Sequence, residues 1–295
     1  MFKPSPAGRL LLHAANLTVI VFILLPLVAV FFGAIQSEKA LQADTRRVLP
    51  LEVTFDNFTV ILTKGQQKGR IFEQTTYLPD NIKSFYAAVV NSTVVAGSVT
   101  FLTLLFGSLS AYTISRQRYR WSLFLLQANI VARFVPVIVL MIPLYIVMRS
   151  LGQLNSLSGV IIAETGFLLP FAILILAPYF DSIPTELEEA ARIDGCTRFT
   201  AFLRIVLPLA TPALAACGVI MFIASWHELL IPLILNARPD FMTLPVIIST
   251  LVGDVFVFFN LMMAICLLAL LPTVVLVALL QKYIVEGLTA GAVKG

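Results

Sequence analysis

From Leu10 to Ile35 the chain carries no Asp, Glu, Lys or Arg, and nearly every side chain is apolar. A helix needs about 20 such residues to cross a hydrocarbon layer about 30 Å thick. Five further apolar runs follow, at about 85–114, 123–147, 159–179, 208–235 and 261–280. Inside lipid the backbone can satisfy its own polar groups only in helices or closed barrels, and runs of this length fit helices. The pattern therefore predicts an all-α integral membrane protein with six transmembrane helices. The first run exceeds the ~7–15-residue apolar core of a cleaved signal peptide, so it reads as a retained span. Pro26 inside it predicts a kink.

Composition agrees. Of 295 residues, 59% are hydrophobic and 12% charged, against about 25% charged in soluble domains. Basic residues do not interleave with aromatics in one patch, which argues against a nucleic-acid partner and leaves membrane lipid as the surroundings. Cys196, Cys217 and Cys266 form no CxxC pair, so neither a disulfide framework nor a metal site is expected. A phosphate-binding GxxxxGK[ST] loop is absent from the sequence.

Charge sets the orientation. Arg116, Arg118 and Arg120 cluster beside Tyr119 and Trp121 after the second run, which places that short loop in the cytoplasm. Six spans then put both termini in the cytoplasm. Residues 1–35 form the tail and first helix, 36–84 an external loop, 85–282 the core and 283–295 a cytoplasmic tail. The external loop is nearly charge-balanced, and Gly65 and Gly69 suggest an exposed tip. Gly107, Ser108, Ser110 and Ala111 predict close helix packing in the second span.

Between the fourth and fifth runs lies a charged stretch, Pro184 to Pro208. Two helices fit it over about 184–206. Glu186, Glu188 and Glu189 lie in the first turn, where they favour the helix dipole. Glu188 and Arg192 are spaced as an i,i+4 pair. Leu187, Ala190 and Ala191 make a narrow apolar face, and Gly195 suits a helix stop. Phe199, Phe202, Leu203 and Val206 predict one apolar stripe on the second helix. Physics alone leaves two readings open: a docking handle for a partner, or an amphipathic connector on lipid headgroups.

The order Glu189-Ala190-Ala191, Asp194-Gly195, then Leu207-Pro208 resembles the EAA motif of ABC importer permeases. Nearly the whole chain is similar to the carbohydrate-uptake branch of that family. Thr54-Phe55-Asp56-Asn57-Phe58, Asn91-Ser92, Ala111-Tyr112, Pro143-Leu144-Tyr145 and the ending Ala290 to Gly295 carry the likeness. Trp226-His227-Glu228 departs from the family's common Trp-Asn-Glu, residues 64–81 look inserted, and Arg133 is unexpected. The resemblance implies a permease subunit in a bacterial inner membrane, partnered by a second permease subunit, an ABC ATPase dimer and an external solute-binding protein. ATP and Mg would be used by the ATPase, with no cofactor in this chain. It also implies a coupling role for Glu188, Glu189, Ala190, Ala191, Asp194, Gly195, Leu207 and Pro208. The solute would be a sugar or sugar derivative; a polyol or phosphodiester importer and an ion-coupled secondary transporter are the alternatives.

Ionisable or polar residues inside spans tend to face cavities or one another. Asn91, Arg133, Glu164, Trp226 and Glu228 are thus the translocation-pathway candidates. Asn91, Asn129 and Trp226 could equally serve as helix-packing contacts, Glu228 as a packing hydrogen bond, and Arg133 could pair with Glu164. His227 lacks the companions of a metal ligand and reads as a local hydrogen-bonding residue.

Overall fold

Proline placement decides which apolar runs stay single helices and which break. The computed structural model describes residues 6–43, 49–50, 52–65, 80–116, 120–252 and 258–290. Helix α1 is Pro6–Ala34, followed by short α2 (Glu38–Ala43) and α3 (Asp56–Leu62). Next come α4 (Phe85–Arg116), α5 (Arg120–Arg133), α6 (Val137–Ser150) and α7 (Leu157–Ser182). The charged stretch holds α8 (Glu186–Ile193), α9 (Arg198–Ala201), a π-helical turn Phe202–Val206, and α10 (Leu207–Leu209). The chain continues through α11 (Thr211–Trp226), α12 (Leu230–Leu235), α13 (Leu244–Thr250) and α14 (Phe259–Ala290). The predicted all-helical class holds among the described residues.

Four helices are long and apolar enough to cross a membrane by themselves, and two broken pairs raise the number to six if each pair is one span. The third run is one of these pairs: Phe124–Ala132 and Val137–Ser150 meet at 96°. Pro136 explains the break, because it disfavours helical backbone at Val135 and caps α6 in extended conformation (φ −63°, ψ 129°). The predicted fifth span, 208–235, is also divided. Its main helix α11 has 16 residues, which at ~1.5 Å each spans about 24 Å. Pro232 lacks an N–H and its ring would clash with the Glu228 carbonyl in a continuous helix, so the chain restarts at Leu230. Before α11, the backbone bends by 77° at Ala210, ahead of Pro212.

The chain forms two compact units, Met1–Phe85 with Ile247–Leu271, and Tyr86–Val246 with Pro272–Gly295. In the first, α1 runs helical through Pro26 and exposes apolar side chains along most of its length, as lipid contact demands. Gly33 allows α14 to approach: a Cβ there would fall 2.1 Å from the Met263 sulfur. Asn57 is fully buried and ties the end of α1, donating to the carbonyls of Ala34 and Gln36 at 2.8 Å each. Asn260 donates to the Asn57 side-chain oxygen at 2.8 Å.

In the second unit α7 is the central post, packed against α5, α11 and α12. The small-residue stretch in α4 meets α7 as expected, with a Cβ on Gly107 only 3.1 Å from the Ala172 Cβ. One end of this unit is laced by short polar side chains. Asn155, at φ 51°, accepts from the N–H groups of Ala237 and Arg238, and Asn236 accepts from the Ser156 N–H. Ser156 caps α7 by accepting from the Gly159 N–H at 3.1 Å.

Arg118 and Tyr119, residues 66–79 of the apparent insertion, and residues 291–295 lie outside the described residues. So does the side chain of Arg133, and with it the Arg133–Glu164 pairing.

Candidate functional site

The charged stretch folds as the two predicted helices, and its turn follows from Gly195. Gly195 sits at φ +93°, a left-handed backbone that side chains with a Cβ resist. The Cys196 N–H then closes back onto the Ala191 carbonyl at 2.9 Å, satisfying the end of α8. Thr197 opens α9 by accepting from the Thr200 N–H at 3.2 Å.

Three expectations here are corrected. Glu188 does not pair along its helix with Arg192. Its carboxylate turns inward, accepting from Arg116 Nε at 2.5 Å and from the Tyr112 hydroxyl at 2.6 Å. Arg116 and Tyr112 lie at the last turns of α4, so partners distant in sequence outcompete the local one. Arg116 also donates to the Ile183 carbonyl at 2.9 Å. Second, Leu187 and Ala190 are exposed and only Ala191 of the proposed narrow face is buried. Third, the predicted stripe on the second helix splits. Phe202 and Val206 are buried, whereas Phe199 is 61% exposed and Leu203 44%. The π-helical turn at Phe202–Val206 alters the angular step, so i,i+3,i+4 spacing no longer keeps one face.

Phe202 anchors the pair. Its ring lies 4.6 Å from that of Tyr112 and 6.2 Å from that of Phe180. The anchor and the Glu188–Arg116 pair join α8 and α9 to the ends of α4 and α7. The opposite surface stays open: Glu186, Glu189, Arg192 and Asp194 are exposed, beside Leu187, Phe199 and an 86% exposed Ile193. Apolar side chains of that size among charges mark a contact surface. Leu207 and Pro208 lie just before the 77° bend, at the joint with α11.

The pathway candidates separate. Asn91 is buried and donates to the carbonyls of Asp240 and Met242 at 2.9 Å each, and neighbouring Ser92 accepts from the Leu244 N–H at 2.8 Å. Asn91 thus clasps the 240–244 segment. Trp226 is 2% exposed and stacks on Phe222, a packing role. Asn129 bonds its own helix at Leu125. His227 meets the Thr273 hydroxyl at 3.5 Å, the local contact expected of it.

Glu164 and Glu228 do come together. Both line a cavity of about 170 Å³, with Ala132, Val135 and Val137 from one helix break and Ala224 and Ile231 from the other. Glu228 accepts from the N–H groups of Leu230 (2.8 Å) and Ile231 (3.3 Å), capping α12. Glu164 is 1% exposed; Ser225 donates to its Oε2, and its Oε1 has no partner among the described residues. Sequence reasoning gave no site role to Tyr112, Arg116, Phe180 or Ser225, and read Phe202 only as part of an apolar stripe. Arg116 was visible as an orientation marker and Tyr112 as part of the family likeness, while Phe180 and Ser225 carried no signal beyond apolarity or small size.

Fold and site define a polytopic membrane protein that presents a braced, partly apolar helix pair at one end. The chain belongs to the binding-protein-dependent transport system inner membrane component family, which matches residues 103–289. It is 37% identical over 205 residues to the sulfoquinovosyl glycerol transport system permease protein of Agrobacterium fabrum, covering 70% of this chain and 72% of that one. Against the trehalose transport system permease protein of Mycobacterium tuberculosis, identity is 30% over 279 residues, 94% of each chain. The fold matches a chain of a bacterial ABC transporter involved in import of the acidic polysaccharide alginate, with TM-score 0.76 and 22% identity, covering 96% of this chain and 99% of that chain. The protein is thus a permease subunit of an ABC importer, an inner-membrane transport component.

Proposed function

We propose that the protein forms, with a second permease subunit, the transmembrane path for a sugar or sugar derivative, and that α8 and α9 couple that path to a separate ATPase dimer. The observation that carries the coupling role is the division of labour within one acidic turn. Glu188 faces inward onto Arg116 and Tyr112, while Glu189 stays exposed beside Leu187 and Ile193. A connector resting on headgroups would not need an ion pair bracing it to a span. A surface that must transmit force does, because a loosely held helix would yield before the spans moved. Glu189 offers a carboxylate to a basic group on the ATPase, and Gly195 keeps the two helices at their angle.

The sugar assignment is supported by the relatives, whose names include trehalose and sulfoquinovosyl glycerol. In this reading ATP and Mg are bound by the ATPase alone, and an external binding protein delivers the solute at the end clasped by Asn91 and Asn155. The termini and the coupling helices face the cytoplasm.

The test is to co-purify the ATPase with this chain and measure uptake in Glu189→Lys and Gly195→Val variants. Both variants are expected to lower ATPase recovery and sugar uptake about tenfold or more, the loss of at least one charge-assisted contact. Unchanged recovery and uptake in both would sink the coupling role.

A further inference from the structure

We infer that the corner between the end of α4 and α9 is a headgroup site for an anionic phospholipid, with Arg116 and Arg198 as its phosphate donors. Such a site requires neither the sugar nor the ATPase reading above, and it occupies a flank of the helix pair that neither of them uses.

A cavity of about 220 Å³ opens at this corner, and both guanidinium groups line it. Arg116 spends Nε on Glu188 and Nη2 on the Ile183 carbonyl, so its Nη1 has no partner among the described residues. Arg198 is exposed and makes no ion pair or side-chain hydrogen bond among the described residues. Glu188 balances Arg116, and no acidic side chain lines the cavity among the described residues, so Arg198 supplies an excess of positive charge. Guanidinium groups are weakly hydrated and present several donors to phosphate oxygens.

Depth selects a lipid over a soluble phosphate. At ~1.5 Å per residue the 32 residues of α4 extend about 48 Å, close to the ~40–45 Å of a bilayer with its headgroup regions. Arg116 ends α4, which puts the cavity at headgroup depth. Basic pockets between membrane helices are recurrent headgroup sites on the cytoplasmic side. Leu109 lines the cavity, and Leu105 and Phe101 continue from it at four-residue spacing as exposed apolar side chains. These three lie about 10 to 23 Å from Arg116 along the helix axis, where an acyl chain of the same lipid runs. The exposed ring of Phe199 closes the α9 side. The cavity is smaller than the ~300–1,000 Å³ pockets that engulf whole ligands, so it takes the headgroup and leaves the chains in the bilayer. A phosphate held by both arginines joins α4 to α9 beside the Glu188 brace and ties the helix pair to the membrane surface.

Native mass spectrometry of the importer complex purified through this chain tests the site, with phosphatidylglycerol and phosphatidylcholine titrated in detergent. Phosphatidylglycerol is expected to bind about fivefold or more tighter than phosphatidylcholine. Arg198→Gln should remove about that factor and leave phosphatidylcholine unchanged. Thr113→Trp, at an exposed position on the cavity wall, fills the space without changing charge. It should weaken phosphatidylglycerol by a similar factor, and it carries the test should the arginine variant fail to assemble. Arg204→Gln, exposed and outside the cavity, should leave both lipids unaffected. Equal binding of the two lipids overturns the site. So does an Arg204→Gln loss as large as that of Arg198→Gln, which marks diffuse attraction, or displacement of phosphatidylglycerol by inorganic phosphate at equal concentration, which marks a soluble-anion site. Lower ATPase recovery in Arg198→Gln with phosphatidylglycerol binding intact would assign the corner to a protein contact instead.

Discussion

Glu188 and Glu164 are the same residue type, 24 positions apart, and the fold treats them oppositely. Glu188, at the edge of the charged helix pair, is satisfied by Arg116 and Tyr112 at 2.5 and 2.6 Å. Glu164, deep in α7, has one oxygen bonded by Ser225 and the other buried without a partner among the described residues. The first arrangement makes a rigid brace, because each carboxylate oxygen has a fixed partner. The second leaves a buried acceptor unsatisfied, a local cost of about 1–3 kcal/mol. The two carboxyls thus differ in whether their hydrogen bonds are complete.

Breaking the brace should give the largest effect. Glu188→Ala takes the carboxylate from Arg116, whose side chain is 12% exposed and keeps the Ile183 carbonyl, and loss of a partly buried hydrogen-bonded charge costs about 2–3 kcal/mol. Part of that is expected to return in the Glu188→Arg, Arg116→Glu double variant. Thermal unfolding in detergent reads both. If the single variants melt with wild type, the pair is ornamental.

Ser225→Ala removes the one described donor to Glu164 and should cost about 1–3 kcal/mol. Thermal unfolding in detergent reads it, and a melting temperature equal to wild type would contradict the contrast with Glu188. Asn91→Ala follows at about 1–2 kcal/mol, for two hydrogen bonds to backbone carbonyls. Its signature would be faster amide exchange confined to the 240–244 segment, and protection that stays level there would refute the clasp. The smallest stability change is expected for Glu189→Gln, within about 0.5 kcal/mol as for other exposed positions. Its effect should fall on ATPase recovery, which separates a docking residue from a bracing one a single position away.

Much of this was legible in the sequence because lipid leaves few choices. Runs such as 10–35 and 159–179 must be helical wherever they sit, since an unpaired backbone in hydrocarbon costs too much. Gly195 marked its turn because a left-handed backbone excludes most other residues. The family match over residues 103–289 spans the stretch that holds Glu189, Gly195 and Pro208. The errors came where the answer depended on a distant neighbour. The i,i+4 rule proposed Arg192 for Glu188, but its energy of a few tenths of a kcal/mol is easily outweighed by a partly buried pair with Arg116. For Asn91 and Trp226 the sequence left sugar contact and helix packing both open, and only the tertiary contacts with the 240–244 segment and with Phe222 showed what they pack on.

By itself, then, the sequence determined that this chain is a bundle of membrane helices with a charged, glycine-hinged helix pair between its fourth and fifth apolar runs. Hydropathy period and backbone strain are local properties, written within a few turns of chain. Tertiary structure alone decided which acidic side chain braces the pair, where Pro136 and Pro232 leave the helices broken around a cavity, and that Glu164 and Glu228 share its wall. Those outcomes depend on the distance between residues far apart in the chain, and hydrogen bonds and charge pairs act only over a few ångströms.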